Sequence, residues 1–213
     1  MKRIGLTQRV VVVPEHGERR DSLDQRWTGL MDGLGCQVIP LPNAIEDVAT
    51  YSRDLGIEGF ILTGGDDVYE YSQPGTGAPE RDRIEHQIID FCATGKVPLL
   101  GVCRGLQALV NHFGGSLSPI DGHVQTRHSV ELDPEWMAVP DGRIEVNSFH
   151  NMAIKTDDLP GQLTAVAWSE DGTIEAVVHS EYRINGIMWH PEREVMPSAL
   201  DVALINKLFV PER

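Results

Sequence analysis

The segment from Pro98 to Phe113 constrains the fold more than any other part of the 213-residue chain. An apolar run, Pro98–Val102, enters a Gly-x-Cys-x-Gly turn centred on Cys103, and apolar residues then recur at helical spacing. This pattern predicts a buried strand, a tight turn and a helix. Such a turn can hold its central residue in a strained conformation and direct its side chain out of the sheet. We therefore expect the Cys103 thiol to face a cleft, with a helix start behind it that favours the thiolate.

A second motif supplies a base for this thiol. Gly186–Trp189 reads as an apolar strand that ends at His190, and Glu192 follows two residues later. At a strand end the imidazole can face the cleft, and Glu192 can accept its second N–H and fix its tautomer. Cys103, His190 and Glu192 are thus candidates for nucleophile, base and orienting group.

A third strand brings two glycines to the same place. Gly59–Thr63 is a buried-type strand followed by Gly64 and Gly65. The carboxyl ends of neighbouring parallel strands share one edge of a sheet, so the loops after the three strands are expected to converge. The main-chain N–H groups of Gly65 and Arg104 are candidate oxyanion donors. Glycine suits positions 64 and 65 because the main chain must approach the substrate closely.

The remaining pattern favours an α/β architecture. In the first half strand-like and helix-like segments alternate: a strand within Ile4–Val13, a helix over Arg20–Leu34, a strand at Gln37–Leu41, and helices marked by Ile45–Leu55 and Ile84–Cys92. This alternation predicts a mostly parallel sheet covered on both faces. In the second half, two strand-like runs flank a hairpin signal at Ser169–Thr173, and a last amphipathic helix contains Leu200–Leu208. We expect one domain over residues 1–213.

Charge and cysteine usage exclude several classes of protein. The net charge of −14 argues against nucleic acid or an anionic membrane as a partner. The start is too short and too soon interrupted for a signal peptide, and no apolar run is long enough for a membrane span, so a cytoplasmic protein is expected. Three cysteines suggest no disulfide framework, with Cys36 and Cys92 as core residues. The expected partner is a small molecule, and a homodimer is compatible with the sequence.

Other polar residues carry weaker signals. His112, His123, His128 and His179 show no metal-like spacing, and His123 and His128 are expected in a loop, so neither a metal nor a cofactor is predicted. His150 follows a strand and borders the expected cleft, and a catalytic role for it stays open. Asp66 and Asp67 fit a turn better than a metal site. Arg81–Glu85 fits a solvated helix start, Asp171 fits a turn, and Gln73–Pro79 fits a surface loop near the site.

Four ordered motifs together resemble the class I glutamine amidotransferase superfamily. They are Thr63-Gly64-Gly65, Gly101–Gln107, Val146–His150 and Trp189–Glu192. The resemblance covers most of the chain and is strongest to the stand-alone gamma-glutamyl hydrolases. It implies a flavodoxin-like three-layer α/β/α sandwich, a Cys-His-Glu triad and a gamma-glutamyl thioester intermediate. Substrate contacts are then expected at these positions: Gly64, Gln107, Asn147, Ser148 and Phe149.

Shorter cues resemble one subfamily, the hydrolases that cleave CDP-L-glutamine to glutamate and cytidine diphosphoramidate for capsule modification. These cues include Gly5–Arg9 and Met188–Glu194. An anionic nucleotide amide requires local cations in so acidic a protein, and Arg9, Arg104 and Arg193 are candidates, although Arg104 and Arg193 suit structural ion pairs equally well.

Four alternatives stay open. They are a gamma-glutamyl-aminobutyrate-type hydrolase, a glutaminase subunit that supplies ammonia to a separate synthetase, a catalytically silent binding module, and a cysteine-type α/β-hydrolase. In the last class an acid usually lies between nucleophile and histidine, whereas here the nearest acid follows His190.

Overall fold

The computed structural model describes residues 1–73 and 76–210. Within them thirteen strands and five α-helices follow in chain order: β1 Lys2–Leu6, β2 Arg9–Val13, β3 Glu18–Ser22, α1 Arg26–Gly33, β4 Cys36–Pro40, α2 Val48–Leu55, β5 Gly59–Leu62, α3 Pro79–Gly95, β6 Leu99–Val102, α4 Arg104–His112, β7 Ser118–Pro119, β8 Val124–Leu132, β9 Arg143–Phe149, β10 Met152–Ala153, β11 Leu163–Ser169, β12 Ile174–His179, β13 Ile184–Ile187 and α5 Ala199–Phe209.

Nine strands form the central sheet, in the order β4-β1-β5-β6-β13-β12-β11-β8-β9. The first five are parallel to one another, and β13 pairs antiparallel with β12. Every residue of β5 and β6 is buried, which is the pattern of parallel strands covered on both faces. The predicted mostly parallel core is therefore confirmed, and the carboxyl ends of β5, β6 and β13 lie side by side.

The other four strands extend the sheet antiparallel. β11 and β12 pair across the predicted turn at Ser169–Thr173, and β8 pairs with β9 from Val124 opposite Phe149 to Glu131 opposite Arg143. β8 and β9 carry exposed residues along much of their length, so their apolar pattern is weak. This half of the sheet forms one wall of the site described below.

Helices cover both faces of the sheet. One core cluster joins Trp27 and Met31 of α1 to Leu204 and Leu208 of α5. A second joins α2 and α3 to β5 and β6, with Ile84 and Ile88 fully buried. The expected three-layer α/β/α sandwich is confirmed. Cys36 and Cys92 are buried free thiols in these cores, as predicted.

The N-terminal segment differs from the sequence prediction. The first strand ends at Leu6, and residues 9–22 form a separate hairpin, β2–β3, that occupies the beginning of the predicted helix. The helix itself begins only at Arg26. Thr7 ends the strand because its hydroxyl accepts from the Thr63 N–H and its carbonyl accepts from the Thr63 hydroxyl, which ties β1 to the end of β5. Arg9 is consequently the first residue of the hairpin and does not belong to the first strand.

Two further regions bear on the sequence-based expectations. Part of the predicted loop Gln73–Pro79, namely Pro74 and Gly75, lies outside the described residues, and helix α3 already begins at Pro79. Among the described residues, no helix combines the length and the apolar character that crossing a membrane requires.

Candidate active site

Cys103 lies between β6 and α4 in the expected turn. Its φ of 52° and ψ of −105° are strained for a residue with a side chain, and its N–H donates to the Ile187 carbonyl at 2.7 Å. The flanking glycines are required by close approach: a Cβ on Gly105 would lie 2.1 Å from the Leu62 oxygen, and one on Gly101 2.6 Å from the Gly105 oxygen. Tight packing against β5 and β13 thus holds Cys103 in its conformation.

His190 and Glu192 form a buried pair beside Cys103. The His190 Nδ1 atom lies 2.7 Å from Glu192 Oε1, and both side chains are almost fully buried. Burial alone would lower the pKa of His190, but the charge and hydrogen bond of Cys103, together with Glu192, raise it to about 9. The positive imidazolium is therefore the favoured form at neutral pH, next to the thiol.

The main chain at His190 is clamped by one amide side chain. Asn147 Oδ1 accepts from the His190 N–H at 2.9 Å, and Asn147 Nδ2 donates to the His190 carbonyl at 2.8 Å. Phe149, two residues later on β9, packs edge-on against the imidazole with ring centroids 5.7 Å apart. The Arg193 guanidinium stacks 4.2 Å above the Phe149 ring. Asn147 thus fixes the main chain at His190, and Phe149 packs directly against its ring.

The loop with the candidate oxyanion donor is held by Arg81. Its fully buried guanidinium donates to the carbonyls of Gly65 and Thr63, each at 2.5 Å, and to the Gly64 carbonyl at 3.2 Å. Because all three carbonyls accept from Arg81, the main chain of the loop that carries the Gly65 N–H is held in a single orientation. The second candidate donor, the Arg104 N–H, is the first of helix α4 and has no acceptor within the helix.

Arg81–Glu85 is a buried charge network and not the solvated helix start that the sequence suggested. Arg81 Nε lies 2.9 Å from Glu85 Oε1, and the Arg104 guanidinium forms ion pairs with Asp82 and Glu85. Burial lowers the pKa of Arg81 to about 10 and that of Arg104 to about 9, so both remain charged at neutral pH. The Arg104 side chain is therefore structural and is not placed to meet a substrate phosphate, which corrects one of the two roles that the sequence left open for it.

A cleft of about 180 Å³ opens over the thiol. Its walls include Gly65, Asp66, Asp67, Cys103, Arg104, Gln107, Phe149, His150, Asn151, His190 and Arg193. Gln107 lies one turn along α4 and donates through Nε2 to the Met152 carbonyl at 3.1 Å, which leaves its Oε1 as the acceptor. Asp66 accepts from the Val10 N–H at 3.1 Å, a long-range contact that ties the loop after β5 to the β2–β3 hairpin.

The structure changes the expected roles of several residues. Ser148 does not line this cleft, and its hydroxyl donates to the His123 carbonyl at 2.7 Å. Asn147 holds His190 and lines the adjoining groove that also contains Phe149 and Arg193. Gly64 lies against the imidazole, where a Cβ would come 2.5 Å from His190 Cε1. Arg9 lies over Gly65, with its Cδ 3.4 Å from where a Cβ would stand, at the rim of the cleft.

One group of residues was not anticipated as a cluster. His123, His128, His150 and Glu175 come from separate segments and meet behind the cleft wall. His123 lies in the loop before β8, as predicted, whereas His128 lies within β8, so the loop expected for His128 is wrong. Both side chains approach Glu175. Asp171 lies in the predicted turn but also accepts from His123. No sequence signal links these positions, because only the assembly of β8, β9, β11 and β12 into one sheet brings them together.

Comparison with known proteins identifies the family. Residues 4–192 match the family model described as Peptidase C26, which is most of the chain. The chain belongs to the Peptidase C26 family. The predicted resemblance is thereby confirmed, and this Peptidase C26 protein is a hydrolase.

Two curated relatives show how near the resemblance is. The gamma-glutamyl-CDP-amidate hydrolase of Campylobacter jejuni subsp. jejuni is 38% identical over 192 residues, which are 90% of each chain. The putative glutamine amidotransferase-like protein YvdE of Lactococcus lactis subsp. lactis is 35% identical over 79% of each chain.

Solved structures share the fold at low identity. A putative GMP synthase protein from Thermoplasma acidophilum superposes with a TM-score of 0.70 at 20% identity, covering 98% of this chain and 92% of its own. A glutamine amidotransferase from Thermotoga maritima gives 0.66 at 19% identity, covering 90% and 76%. These likenesses confirm the flavodoxin-like class of fold expected for Peptidase C26.

Proposed function

We propose that this protein hydrolyses gamma-glutamyl amides through a gamma-glutamyl thioester on Cys103. The observation that carries the proposal is the arrangement at the ends of β6 and β13, where a strained Cys103 faces His190 and His190 is bonded to Glu192. Nucleophile, base and orienting carboxylate are then all present in one water-poor cleft.

Each step uses a group that is already in place. The Cys103 thiolate attacks the gamma-carbonyl carbon, and the oxyanion that forms accepts from the N–H groups of Gly65 and Arg104. The His190 imidazolium gives its proton to the leaving nitrogen, and the C–N bond breaks. A water molecule, deprotonated by His190, then attacks the thioester and releases glutamate. Glu192 keeps Nδ1 protonated throughout, so that Nε2 exchanges the proton.

The glutamyl part of the substrate fits the inner cleft. The cleft has a volume of about 180 Å³, which suits a glutamyl group, and Gln107 presents an acceptor oxygen there. This acceptor can receive a hydrogen bond from the substrate α-amino group. Gln107 is thus proposed to hold the glutamyl group, as expected from its position one turn after Cys103.

For the leaving group we propose a nucleoside diphosphate, as in CDP-L-glutamine. The named activity of the Campylobacter jejuni relative supports this substrate, and so does a second groove of about 500 Å³ that shares Phe149 and Arg193 with the inner cleft. That size lies in the range of roughly 300–1,000 Å³ typical of small-molecule sites. The groove also contains Arg26 and Arg127, so it offers three guanidinium groups and one aromatic ring.

Of these cations, Arg193 is best placed to meet phosphate oxygens. Its Nε makes no hydrogen bond among the described residues and has only a long ion pair, 3.7 Å, with Glu192, and its side chain joins the groove to the cleft. Arg26 and Arg127 are instead paired with Asp24 and Glu194. Arg9, at the rim over Gly65, is the second candidate. A use of the released phosphoramidate in capsule modification follows only from the resemblance and stays a prediction.

The test is a hydrolysis panel on the purified chain. The substrates are CDP-L-glutamine, gamma-glutamyl-aminobutyrate, gamma-glutamyl anilide and glutamine, each with the unmodified protein and with Arg193→Ala, Arg9→Ala and the control Arg143→Ala. Arg143 is the exposed first residue of β9 and pairs with Glu131 of β8, away from the cleft.

We expect the highest kcat/KM with CDP-L-glutamine. Loss of a charged hydrogen bond costs about 1.5–3 kcal/mol, so Arg193→Ala should raise KM for this substrate by about 10- to 100-fold and leave glutamine hydrolysis nearly unchanged. Absence of CDP-L-glutamine cleavage by the unmodified protein would retire the nucleotide substrate alone. Preference for gamma-glutamyl-aminobutyrate would favour that branch, activity on glutamine alone would favour a glutaminase subunit, and inactivity on all four would overturn the hydrolase mechanism.

A further inference from the structure

A buried cluster behind the cleft wall has no place in the proposed reaction. It comprises His123 before β8, His128 within β8, His150 after β9 and Glu175 in β12. Glu175 is 1% exposed, yet neither of its carboxylate oxygens has a hydrogen-bond partner among the described residues. His128 Nε2 is likewise buried and unpartnered. Unpaired buried carboxylates are costly, so their persistence calls for a positive group in the middle of the cluster.

The outer hydrogen bonds of two histidines determine which nitrogens face inward. His123 Nε2 lies 2.9 Å from Asp171 Oδ2, and His150 Nδ1 lies 3.0 Å from the Met152 carbonyl oxygen. Both partners are acceptors, so the histidine nitrogens that face them carry protons. His123 Nδ1 and His150 Nε2 are then the ring nitrogens that face inward, toward Glu175. A carboxylate or carbonyl behind a histidine is the usual support for a metal-binding imidazole.

The inward atoms form a compact triangle. His123 Nδ1 and His150 Nε2 are 3.3 Å apart, and Glu175 Oε1 lies 3.8 and 3.5 Å from them. One cation between the three atoms would contact all of them and would balance the buried carboxylate. Metal–ligand bonds of about 2.0–2.2 Å in a tetrahedron place ligand atoms about 3.3–3.6 Å apart, which matches this spacing.

The fourth corner is supplied by His128. Its Nε2 lies 3.6 Å from Glu175 Oε2, and ligand atoms of His123, His128 and Glu175 all lie within 4.8 Å of one another. Three imidazoles and one carboxylate are a donor set that suits Zn²⁺ and related first-row divalent ions.

We propose that His123, His128, His150 and Glu175 bind one Zn²⁺-like divalent transition-metal ion. With four protein ligands the site is closed, and its role is structural. It joins β8, β9 and β12, and through His150 it fixes the wall of the cleft beside Phe149. Asp171 supports the site as the partner of His123.

The test measures metal binding in Cys103→Ala protein, so that the thiol cannot act as a ligand. The full chain is stripped with a chelator and dialysed against Zn²⁺, and its metal content and thermal unfolding are measured. Glu175→Gln and His128→Gln remove ligands, and Asp171→Asn removes a supporting contact. His16→Gln, in the exposed hairpin, and His112→Gln, from the other close histidine pair with His86, are controls.

We expect one bound Zn²⁺ per chain and, at free Zn²⁺ about 100-fold above Kd, a rise in melting temperature of about 5–10 °C. Asp171→Asn should weaken binding by about 10- to 100-fold, and both ligand variants should lose it while both controls keep it. With Co²⁺ the protein should show a tetrahedral ligand-field spectrum. The melting temperature of the metal-free variants shows whether each is folded.

Three results would overturn the proposal. The first is less than a tenth of an equivalent of bound Zn²⁺ in the otherwise unmodified Cys103→Ala protein. The second is undiminished binding in both folded variants, Glu175→Gln and Asp171→Asn. The third is loss of binding in His112→Gln and in no other variant. The first would mean that water or a shared proton occupies the centre of the cluster, and the last would place the ion at the His86–His112 pair. None of these results affects the proposed hydrolysis, because Cys103 chemistry is measured separately.

Discussion

His190 Nδ1 lies 2.7 Å from Glu192 Oε1 in an environment that excludes water from both side chains. This geometry assigns unequal work to the two residues, since His190 moves the proton, whereas Glu192 orients the imidazole and helps to raise its pKa. We expect His190→Asn to lower kcat by about 10²–10⁴-fold, the usual contribution of a general acid–base group. Glu192→Gln should cost much less. Steady-state kinetics on one gamma-glutamyl substrate compares them, and equal losses would contradict this division of work.

The same pair predicts the alkaline limit of activity. Burial lowers the pKa of His190, but Cys103 and Glu192 raise it to about 9, so the imidazolium persists as the pH rises from neutral to about 9. Since the leaving nitrogen needs this proton, kcat/KM should fall as the pH passes through about 9. Glu192→Gln removes one of the groups that raise the pKa and should move this limb to lower pH. An unchanged limb would show that another group sets it.

Arg81 is expected to act as a positioning residue. Lysine keeps its charge but cannot donate to the carbonyls of Thr63, Gly64 and Gly65 together. Arg81→Lys should therefore misplace the Gly65 N–H and lower kcat by up to about 10²–10³-fold, with a smaller effect on KM. Arg83→Lys is the matched control. Arg83 lies on the same helix as Arg81, and it donates to the carbonyls of Asn43 and Ile45, away from the cleft. Equal effects of the two variants on kcat would indicate a purely structural role.

Gly64 tests how closely the imidazole must be placed. A Cβ there would lie 2.5 Å from His190 Cε1, so Gly64→Ala should displace the ring. A misplacement of about 1 Å can cost about 10²-fold in rate, and we expect a loss of that size with little change in melting temperature. Gly29→Ala in α1 adds a methyl group to open space and should leave kcat unchanged. Full activity in Gly64→Ala would contradict the described approach of the loop to His190.

The elements around Cys103 could be predicted because their signals are local. Continuous apolar runs of four or five residues, each ended by glycine or a polar group, identify β5 and β6. The strand predicted at Gly186–Trp189 overlaps β13, which begins two residues earlier and contains Asn185. Helix α4 follows from the spacing of Leu106, Leu109 and Val110. From these elements the meeting of Cys103, His190 and Gly65 at one edge follows from parallel pairing alone.

Other features depend on contacts between distant residues. The β2–β3 hairpin was missed because Val10–Val13 continues the apolar pattern of β1, whereas the bonds between Thr7 and Thr63 end that strand. Arg81 and Glu85 look like a surface pair at helical spacing, and only the loop and Arg104 packed against them show their burial. Glu175 is 25 residues or more from each of the three histidines it meets, so no local pattern reveals that cluster.

The most direct test of the account is to trap the acyl-enzyme. The protein is mixed with a gamma-glutamyl amide, quenched in acid within one turnover, and analysed by intact and peptide mass spectrometry. We expect a mass increase of one gamma-glutamyl group, located on the peptide that contains Cys103, and neither adduct nor turnover in folded Cys103→Ala. An adduct on Cys36 or Cys92, or substantial hydrolysis by Cys103→Ala, would contradict the thioester mechanism.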